Sequence, residues 1–282
     1  MVERAAVVTV LYPAALPFVA DFVADLNAQD DRAFTLVALL DGVPAGSLAG
    51  ARMPVVELPA SGGTPAALRT AAINTAAAHA EILIFADADD RFRADRVRAC
   101  RQSLAGWDAL GHDFTPFTAG SPDQPPALHR AWDADRAFSA LDLRDGTCLG
   151  FGASACRAAP AQAAAAQVDP ATEVFDWDFY ALLLHQGGAM RFLDLPLTRY
   201  RQHAGNQVGW GRTRDPVRGV RIKADHYRRL AAWDPGYARL AASFARLALR
   251  LASEPDFRAA YDLRPAATRV GWWYDLTLPE ES

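Results

Sequence analysis

Three carboxylates lie within four residues, directly after an apolar segment typical of a buried strand. The segment 81–86 (EILIFA) leads into Asp87, Asp89 and Asp90. Like charges held a few ångströms apart raise one another's pKa, and a hard divalent cation relieves this repulsion because it accepts carboxylate oxygens. The spacing therefore predicts a divalent-metal site at Asp87 and Asp89. For Asp90, capping of the helix that follows accounts for the pattern equally well.

A second acidic group stands at the start of a segment with helical periodicity, residues 173–185. It consists of Asp176 and Asp178, preceded by Glu173. A carboxylate in this place can act as a general base. Acidic residues also stabilise the first turn of a helix by about 0.3–1 kcal/mol. The pattern leaves catalysis and capping both open.

A polar stretch, residues 200–206 (YRQHAGN), contains His203. It follows a strand-like segment, 190–195, that we expect to end at Pro196. An imidazole can bind a metal ion or a phosphate oxygen, and it can also serve as a hydrogen-bonded structural residue. The local pattern does not decide between these roles.

Apolar, β-branched runs separated by helical patterns predict an α/β fold. Such runs are typical of strands covered on both faces in a parallel sheet, and the segments between them have helical spacing. We expect strands over 5–11, 34–40, 54–58 and 81–86, and helices over 16–29 and 64–80. The predicted class is α/β, with a mostly parallel, Rossmann-like sheet flanked by helices.

Three polar residues each follow a different predicted strand. They are Tyr12, Asp41 and Asp87. Open α/β sheets bind their ligands at the carboxyl ends of the strands. We therefore expect these three side chains to converge on one crevice.

The second half of the chain has weaker patterns. Residues 106–140 are rich in proline and predict loops and short strands, whereas the alanine-rich segment 158–166 fits a short helix or a mobile segment. Beyond Pro216 the spacing predicts two amphipathic helices with a break near 234–236. We expect a catalytic or binding domain over 1–215 and a helical C-terminal extension over 216–282.

The composition limits the classes of partner. The 282 residues are 51% hydrophobic, which is enough to build a core, and the formal net charge of −4 offers no broad cationic field for nucleic acid. No apolar run reaches the ~20 residues of a membrane span, and no signal-peptide pattern is present, so we expect a cytoplasmic protein. Three cysteines without metal-ligand spacing predict reduced thiols.

Markers of several other enzyme sites do not occur in the sequence. There is no GxGxxG after the first strand, no GxxxxGK followed by Ser or Thr, no HExxH and no GxSxG. Dinucleotide-binding, P-loop, zincin and hydrolase-elbow sites therefore lack their usual signals.

Taken in order, these segments resemble the family 2 glycosyltransferases of the GT-A fold, over about residues 5–210. The strongest part is the order of glycine, arginine and a DxD motif. The matching segments are 7–13 (VVTVLYP), 36–42 (LVALLDG), 62–69, 81–90 (EILIFADADD), 175–184 (FDWDFYALLL) and 200–209 (YRQHAGNQVG).

The resemblance implies roles for the residues of the nucleotide and metal site. Asp41 would contact the nucleotide base, with Tyr12 and Arg69 also in the nucleotide site. Asp87 would contact the ribose or the metal. Asp89 would coordinate a Mn²⁺ or Mg²⁺ ion that bridges the donor diphosphate. A further residue, Asp90, would lie just behind them.

The resemblance also implies the chemistry. Asp176 would be the catalytic base of an inverting transfer from a nucleotide-diphosphate sugar to an acceptor hydroxyl, on a glycan, a lipid-linked sugar or a protein. His203 would lie close to the phosphates and the metal. Asp178 would support the site or contact the acceptor. Phe175 stands where the family usually has glutamate.

Two other functions stay open at this point. Phe175 and the sequence Gly-Val-Pro-Ala at 42–45, where the family usually has Gly-Ser-Thr-Asp, are compatible with a binding or structural module that has lost turnover. A nucleotidyltransferase would also use a nucleotide, a metal and carboxylates. However, residues 12–17 lack the basic, glycine-rich loop that commonly holds a triphosphate.

Overall fold

A nine-stranded sheet forms the centre of the described part of the chain. The computed structural model describes residues 3–60, 62–121, 124–127, 136–147, 149–203, 215–262 and 276–278. The strands are β1 (Ala5–Leu11), β2 (Phe34–Asp41), β3 (Val55–Ala60), β4 (Ile82–Phe85), β5 (Arg91–Phe92), β6 (Ala109–Phe117), β7 (Ala137–Phe138), β8 (Ser154–Arg157) and β9 (Met190–Arg201). The helices are α1 (Val19–Asn27), α2 (Pro65–Ala77), α3 (Arg96–Ser103), α4 (Ala158–Ala165), α5 (Phe175–His185), α6 (Pro216–Leu230), α7 (Pro235–Ser253) and α8 (Pro255–Asp262).

The sheet changes character at β4. Its order is β3-β2-β1-β4-β8-β6-β9-β5, with β7 paired to β9. The first four strands are parallel, as the apolar runs predict. Strand β8 is antiparallel to both β4 and β6, whereas β9 is parallel to β6. The predicted α/β class is confirmed, and the acidic triplet lies where the parallel block meets the antiparallel strand β8.

Two apolar layers cover the sheet because successive side chains of a strand point to opposite faces. In β1, Ala6 and Val8 belong to one buried cluster, with residues of α2, α4 and α5. Ala5 and Val7 belong to the other cluster, with residues of α1 and α3. Helices therefore lie on both faces, and the strand ends are left uncovered for polar side chains such as those of the acidic triplet.

Helix α2 carries Arg69 to the sheet and has a well-defined start. The Oγ1 atom of Thr64 accepts a hydrogen bond from the backbone N–H of Ala67 at 3.2 Å. Pro65 follows at the first helical position, where the absent N–H costs nothing. Small residues such as Ala72 and Ala76 let this helix pack closely on the sheet.

The segment 106–140 contains a long strand that the sequence did not predict. Strand β6 is central and pairs with both β8 and β9. Its polar residues His112 and Asp113 are fully buried, so it lacks an apolar run. The expected break at Pro196 was also wrong, because β9 continues to Arg201. Pro196 lies opposite Asp113 at a β-bulge, where a missing N–H is tolerated.

The helices depart from the expected ones in two places and decide one alternative that the sequence left open. The helix expected over 16–29 starts as a 3-10 turn, Pro13–Phe18, and becomes α-helical only at Val19. The alanine-rich segment forms α4. A third helix, α8, follows the two that were predicted after Pro216.

The helices after Pro216 pack against α5. Tyr227 and Leu230 of α6 and Phe244 of α7 share a buried cluster with Trp177 of α5. The division into two domains stays a prediction. Among the described residues, no helix is long and apolar enough to cross a membrane.

The single lysine of the chain is buried in this region. Lys223 of α6 is 2% exposed. Its Nζ atom donates to the backbone oxygens of Asp145 at 2.8 Å and Leu276 at 2.9 Å. The same amine lies 5.2 Å from the ring centre of Phe244. Lys223 thus ties three separate parts of the chain together.

A buried histidine in β6 gives the fold a defined pH dependence. The Nδ1–H group of His112 donates to the backbone oxygen of Asp113 at 2.8 Å, and Nε2 accepts from Nε of Arg96 at 3.3 Å. Burial, followed by the charge of Arg96, lowers the pKa of His112 from 6.5 to about 3. The imidazole is neutral in the folded protein at neutral pH.

We expect His112→Gln to reduce the acid sensitivity of the fold. Between pH 6.5 and about 3 the unfolded chain protonates His112 while the folded chain does not. The free energy of unfolding therefore decreases as the pH is lowered through this window, by up to about 1.4 kcal/mol per pH unit from this residue. Urea unfolding at several pH values measures the slope, which becomes shallower in the variant. The exposed control, His79→Gln, keeps the wild-type slope, and an equal slope in both variants would contradict the assignment.

Candidate active site

A cavity of about 530 Å³ lies at the carboxyl ends of the parallel strands. Tyr12 follows β1, Asp41 ends β2 and Asp87 follows β4, and all three line this cavity. The structure thus brings together the three residues that the strand-end argument predicted to converge. On the far side, Asp176 and Trp177 of α5 close the cavity.

The acidic triplet divides its carboxylates among different neighbours. Asp90 accepts a hydrogen bond from the backbone N–H of Arg201 at 2.8 Å. Asp89 lies 2.9 Å from Nε2 of His203. Asp87 faces Arg69 at 3.5 Å. Asp90 therefore joins β9 and does not cap α3, which begins after Asp95 without a side-chain cap.

Burial makes negative charge costly at two of these carboxylates. Burial raises the pKa of Asp87 to about 6; Arg69 opposes this shift, and Asp89 and Asp176 add to it. Burial also raises the pKa of Asp90 well above its usual range, reinforced by the charges of Asp89 and Asp87. A cation beside these carboxylates would favour their ionised forms.

Asp89 and His203 provide the ligand types for a divalent cation. Their contacting atoms are 2.9 Å apart, close to the ~3 Å between adjacent ligands of an octahedral ion with ~2.1 Å bonds. Nε2–H of His203 donates to Oδ2 of Asp89 here, and a cation would replace that proton. Among the described residues, no group of three His, Cys, Asp or Glu side chains could hold a metal ion. Asp89 and His203 could each supply one ligand to a divalent cation.

Arg69 of α2 bridges the two sides of the cavity. Its Nη1 atom lies 2.6 Å from Oδ1 of Asp176, and Nη2 lies 3.5 Å from Oδ1 of Asp87. The guanidinium also stacks near Phe151 and Phe175, at 4.8 and 5.8 Å from their ring centres. Burial alone would lower the pKa of Arg69, but the two carboxylates raise it above its usual value.

Helix α5 directs its two aspartates to different places. Residues two apart on a helix do not share a face. Asp176 faces the cavity and Arg69, whereas Asp178 is buried and pairs with His226 at 2.5 Å and Arg229 at 2.7 Å. Asp178 does not line the cavity, and its role in supporting the site or contacting an acceptor stays a prediction.

Phe175, at the position of the usual glutamate, belongs to an aromatic cluster. It stacks on Phe179 with 5.4 Å between ring centres and meets Phe151 edge-on at 5.9 Å. Its ring and that of Phe151 form an apolar support for the guanidinium of Arg69. This position contributes packing around Arg69 in place of a carboxylate.

Two further residues of the site were not found from the sequence. A Cβ atom added at Gly152 would lie 2.7 Å from Oδ2 of Asp87 and 3.2 Å from Oδ2 of Asp90, so only glycine leaves both carboxylates in place. Arg96 is buried behind them and donates to the backbone oxygen of Gly152 at 2.9 Å. The Gly150-Phe151-Gly152 sequence was a possible signal, because glycine marks close approaches of the backbone.

Some predicted features lie outside the described residues. These are the part of the 200–209 segment after His203, and Cys148. The other two cysteines, Cys100 and Cys156, are buried and free, in agreement with reduced thiols.

Similarity to solved structures supports the fold. Residues 1–349 of TarS from S. aureus, in complex with UDP-GlcNAc, align with a TM-score of 0.63 and 13% identity over 93% of this chain and 76% of that one. The chain has a GT-A-like glycosyltransferase fold. A larger TarS structure matches with a TM-score of 0.61 and 13% identity. The match covers 93% of this chain but only 46% of the larger TarS chain.

A second neighbour is the mannosyltransferase PcManGT from Pyrobaculum calidifontis, in complex with GDP-Man and Mn²⁺. It aligns with a TM-score of 0.51 and 14% identity over 94% of this chain and 81% of that one. No protein-family model and no curated protein sequence matches this chain. At such low identity the similarity establishes the fold alone.

Replacement of Arg69 by methionine is expected to raise the pKa of Asp87 above about 6, because the guanidinium charge now holds that value down. NMR titration of the carboxyl carbons in wild type and Arg69→Met measures the difference. Arg91→Met is the control, since Arg91 pairs with Asp25 at 2.6 Å and does not line the cavity. An unchanged or lower pKa in Arg69→Met would show that the ion pair does not govern this carboxylate.

Proposed function

We propose that this protein is an inverting, family 2-like glycosyltransferase that moves a sugar from a nucleotide-diphosphate sugar to an acceptor hydroxyl. One observation carries the proposal: a single cavity has Asp41, Asp87 and Asp89 at the strand ends and Asp176 on the opposite wall. A sugar nucleotide bound along the strand ends would place its reactive carbon between the two walls. A cytoplasmic location stays a prediction of the sequence.

The donor side of the proposal rests on the strand-end residues. Tyr12 and Asp41 lie at the end of the cavity formed by β1 and β2, where a nucleoside would be bound. Asp87 is placed for a ribose hydroxyl or the metal. The neighbouring GT-A structures contain UDP-GlcNAc and GDP-Man, which supports a sugar nucleotide as donor.

A divalent cation fits beside Asp89 and His203, and the Mn²⁺ in the mannosyltransferase complex supports its use here. Bound there, it would supply Lewis-acid stabilisation of the charge that develops on the departing diphosphate. Arg69 and the backbone around Gly152 keep the neighbouring carboxylates in place.

Asp176 is the proposed catalytic base. Its carboxylate takes the proton from the acceptor hydroxyl while that oxygen attacks the anomeric carbon and the bond to the diphosphate oxygen breaks. A positioned base typically contributes 10²–10⁴-fold to the rate. Because Arg69 contacts Asp176 at 2.6 Å, the acceptor hydroxyl has to share or replace this contact.

The first test separates binding from turnover. We expect UDP or GDP to bind in calorimetry when Mn²⁺ is present and Asp89→Asn to abolish the metal-dependent part. We expect Asp176→Asn to retain this binding while the transfer or hydrolysis of the cognate sugar nucleotide falls by about 10²–10⁴-fold. Binding without turnover in the wild type would favour the inactive module, and release of pyrophosphate in place of a nucleoside diphosphate would favour a nucleotidyltransferase.

Two neighbouring glycines provide a matched pair for the metal and donor site. Gly152→Ala places a methyl group against Asp87 and Asp90, whereas a Cβ at Gly150 meets nothing within 4 Å. We expect Gly152→Ala to weaken nucleotide binding at least tenfold, about 1.4 kcal/mol, and Gly150→Ala to leave it within twofold. Calorimetry with Mn²⁺ makes the comparison. Equal affinities would show that the two carboxylates do not have to keep their present positions.

A further inference from the structure

Helix α6 packs against the first turn of α5 through residues that do not line the cavity. This turn carries Asp176, and the two residues after it, Trp177 and Asp178, both contact α6. Their positions fix the backbone on which Asp176 is mounted.

Asp178 is buried and held by two residues of α6, through a hydrogen bond from His226 and an ion pair with Arg229. Because a carboxylate accepts, Nδ1–H of His226 donates to Oδ1 at 2.5 Å, and Nε of Arg229 donates to Oδ2 at 2.7 Å. The side chains of Asp178 and His226 are 2% and 0% exposed. Separation of Asp178 from Arg229 would leave a buried charge without its partner, which is strongly destabilising, so this contact resists displacement.

Arg229 extends the contact to the residues that precede α5. Its Nη2 atom donates to Oγ1 of Thr172 at 2.8 Å. The same Oγ1 atom accepts the backbone N–H of Val174, the residue at the N-cap of α5, at 3.1 Å. One arginine therefore fixes both the entry into α5 and its first turn.

Trp177 provides a second contact with α6. Its ring stacks on His226 with 3.5 Å between ring centres and an angle of 17° between the ring planes. Its Nε1–H donates to the backbone oxygen of Leu143 at 2.5 Å. Asp176 thus lies next to a fully buried residue that cannot shift without disturbing His226.

We infer that His226 and Arg229 are positioning residues for Asp176, and that α6 is therefore part of the catalytic unit. The inference rests on the proposed function, because it assigns Asp176 the role of base. Neither residue lines the cavity, so neither touches a substrate there. Their effect reaches the reaction through Asp178, Trp177 and the helical turn that these share with Asp176.

The test uses graded substitutions in the full chain. We expect Arg229→Gln and His226→Asn to lower kcat by about tenfold to 100-fold, because a displacement of about 1 Å at a reacting group has effects of this size. KM for the donor and the calorimetric affinity for the nucleotide stay within about twofold, since the strand-end residues are unchanged. Arg229→Lys, which keeps the charge, recovers part of kcat.

Two comparisons separate positioning from folding. Arg228→Gln changes the exposed neighbouring arginine, which pairs with Asp225, and keeps wild-type kcat. In a double-mutant cycle, Asp178→Asn with Arg229→Gln loses no more kcat than Asp178→Asn alone, because both act through one contact. Circular dichroism and thermal unfolding give the folded fraction of each variant.

Several results would overturn the inference. These are wild-type kcat in the variants, a loss of activity equal to the loss of folded protein, and a rise of donor KM at constant kcat. Failure of the proposed function gives a different result, because the wild type itself then does not turn over a sugar nucleotide, whether or not it binds one. The wild-type measurement is therefore made first.

Discussion

The bridge from Arg69 to Asp87 and Asp176 is the interaction on which the candidate site depends. It joins a carboxylate at the end of β4 to one on α5, across a cavity where burial makes negative charge costly. The remaining two carboxylates of the triplet are held from β9, through the N–H of Arg201 and the ring of His203. Segments far apart in the chain must therefore assemble together before these acidic groups can lie side by side.

The elements that the sequence predicted are those whose burial is visible in a local pattern. Strands β1, β2 and β4 are covered on both faces and appear as continuous apolar runs. The sequence does not predict strand β6 because the buried polar residues His112 and Asp113 interrupt its apolar pattern, and the partner of His112, Arg96, comes from α3. The expected strand end at Pro196 is wrong because a β-bulge accommodates this proline, and the bulge depends on how β9 pairs with β6.

The same distinction applies to the site. The convergence of Tyr12, Asp41 and Asp87 followed from a general rule for strand ends. No local pattern reveals that Gly152 approaches two carboxylates, or that the second aspartate of α5 turns away to meet α6. For Phe175, the sequence shows that an aromatic residue replaces the usual glutamate. Only the fold shows that its ring packs against Arg69.

The burial of Lys223 has a chemical consequence for the whole protein. It is the only lysine in 282 residues, and its amine is enclosed by two backbone oxygens and an aromatic ring. Its surroundings leave no exposed ε-amine for acylating reagents, amine-directed cross-linkers or enzymes that attach acetyl groups or ubiquitin to lysine. The positive surface charge is carried by arginine, which stays protonated at every pH that proteins tolerate. The side-chain cations of the surface are guanidinium groups and therefore resist both amine acylation and alkaline titration.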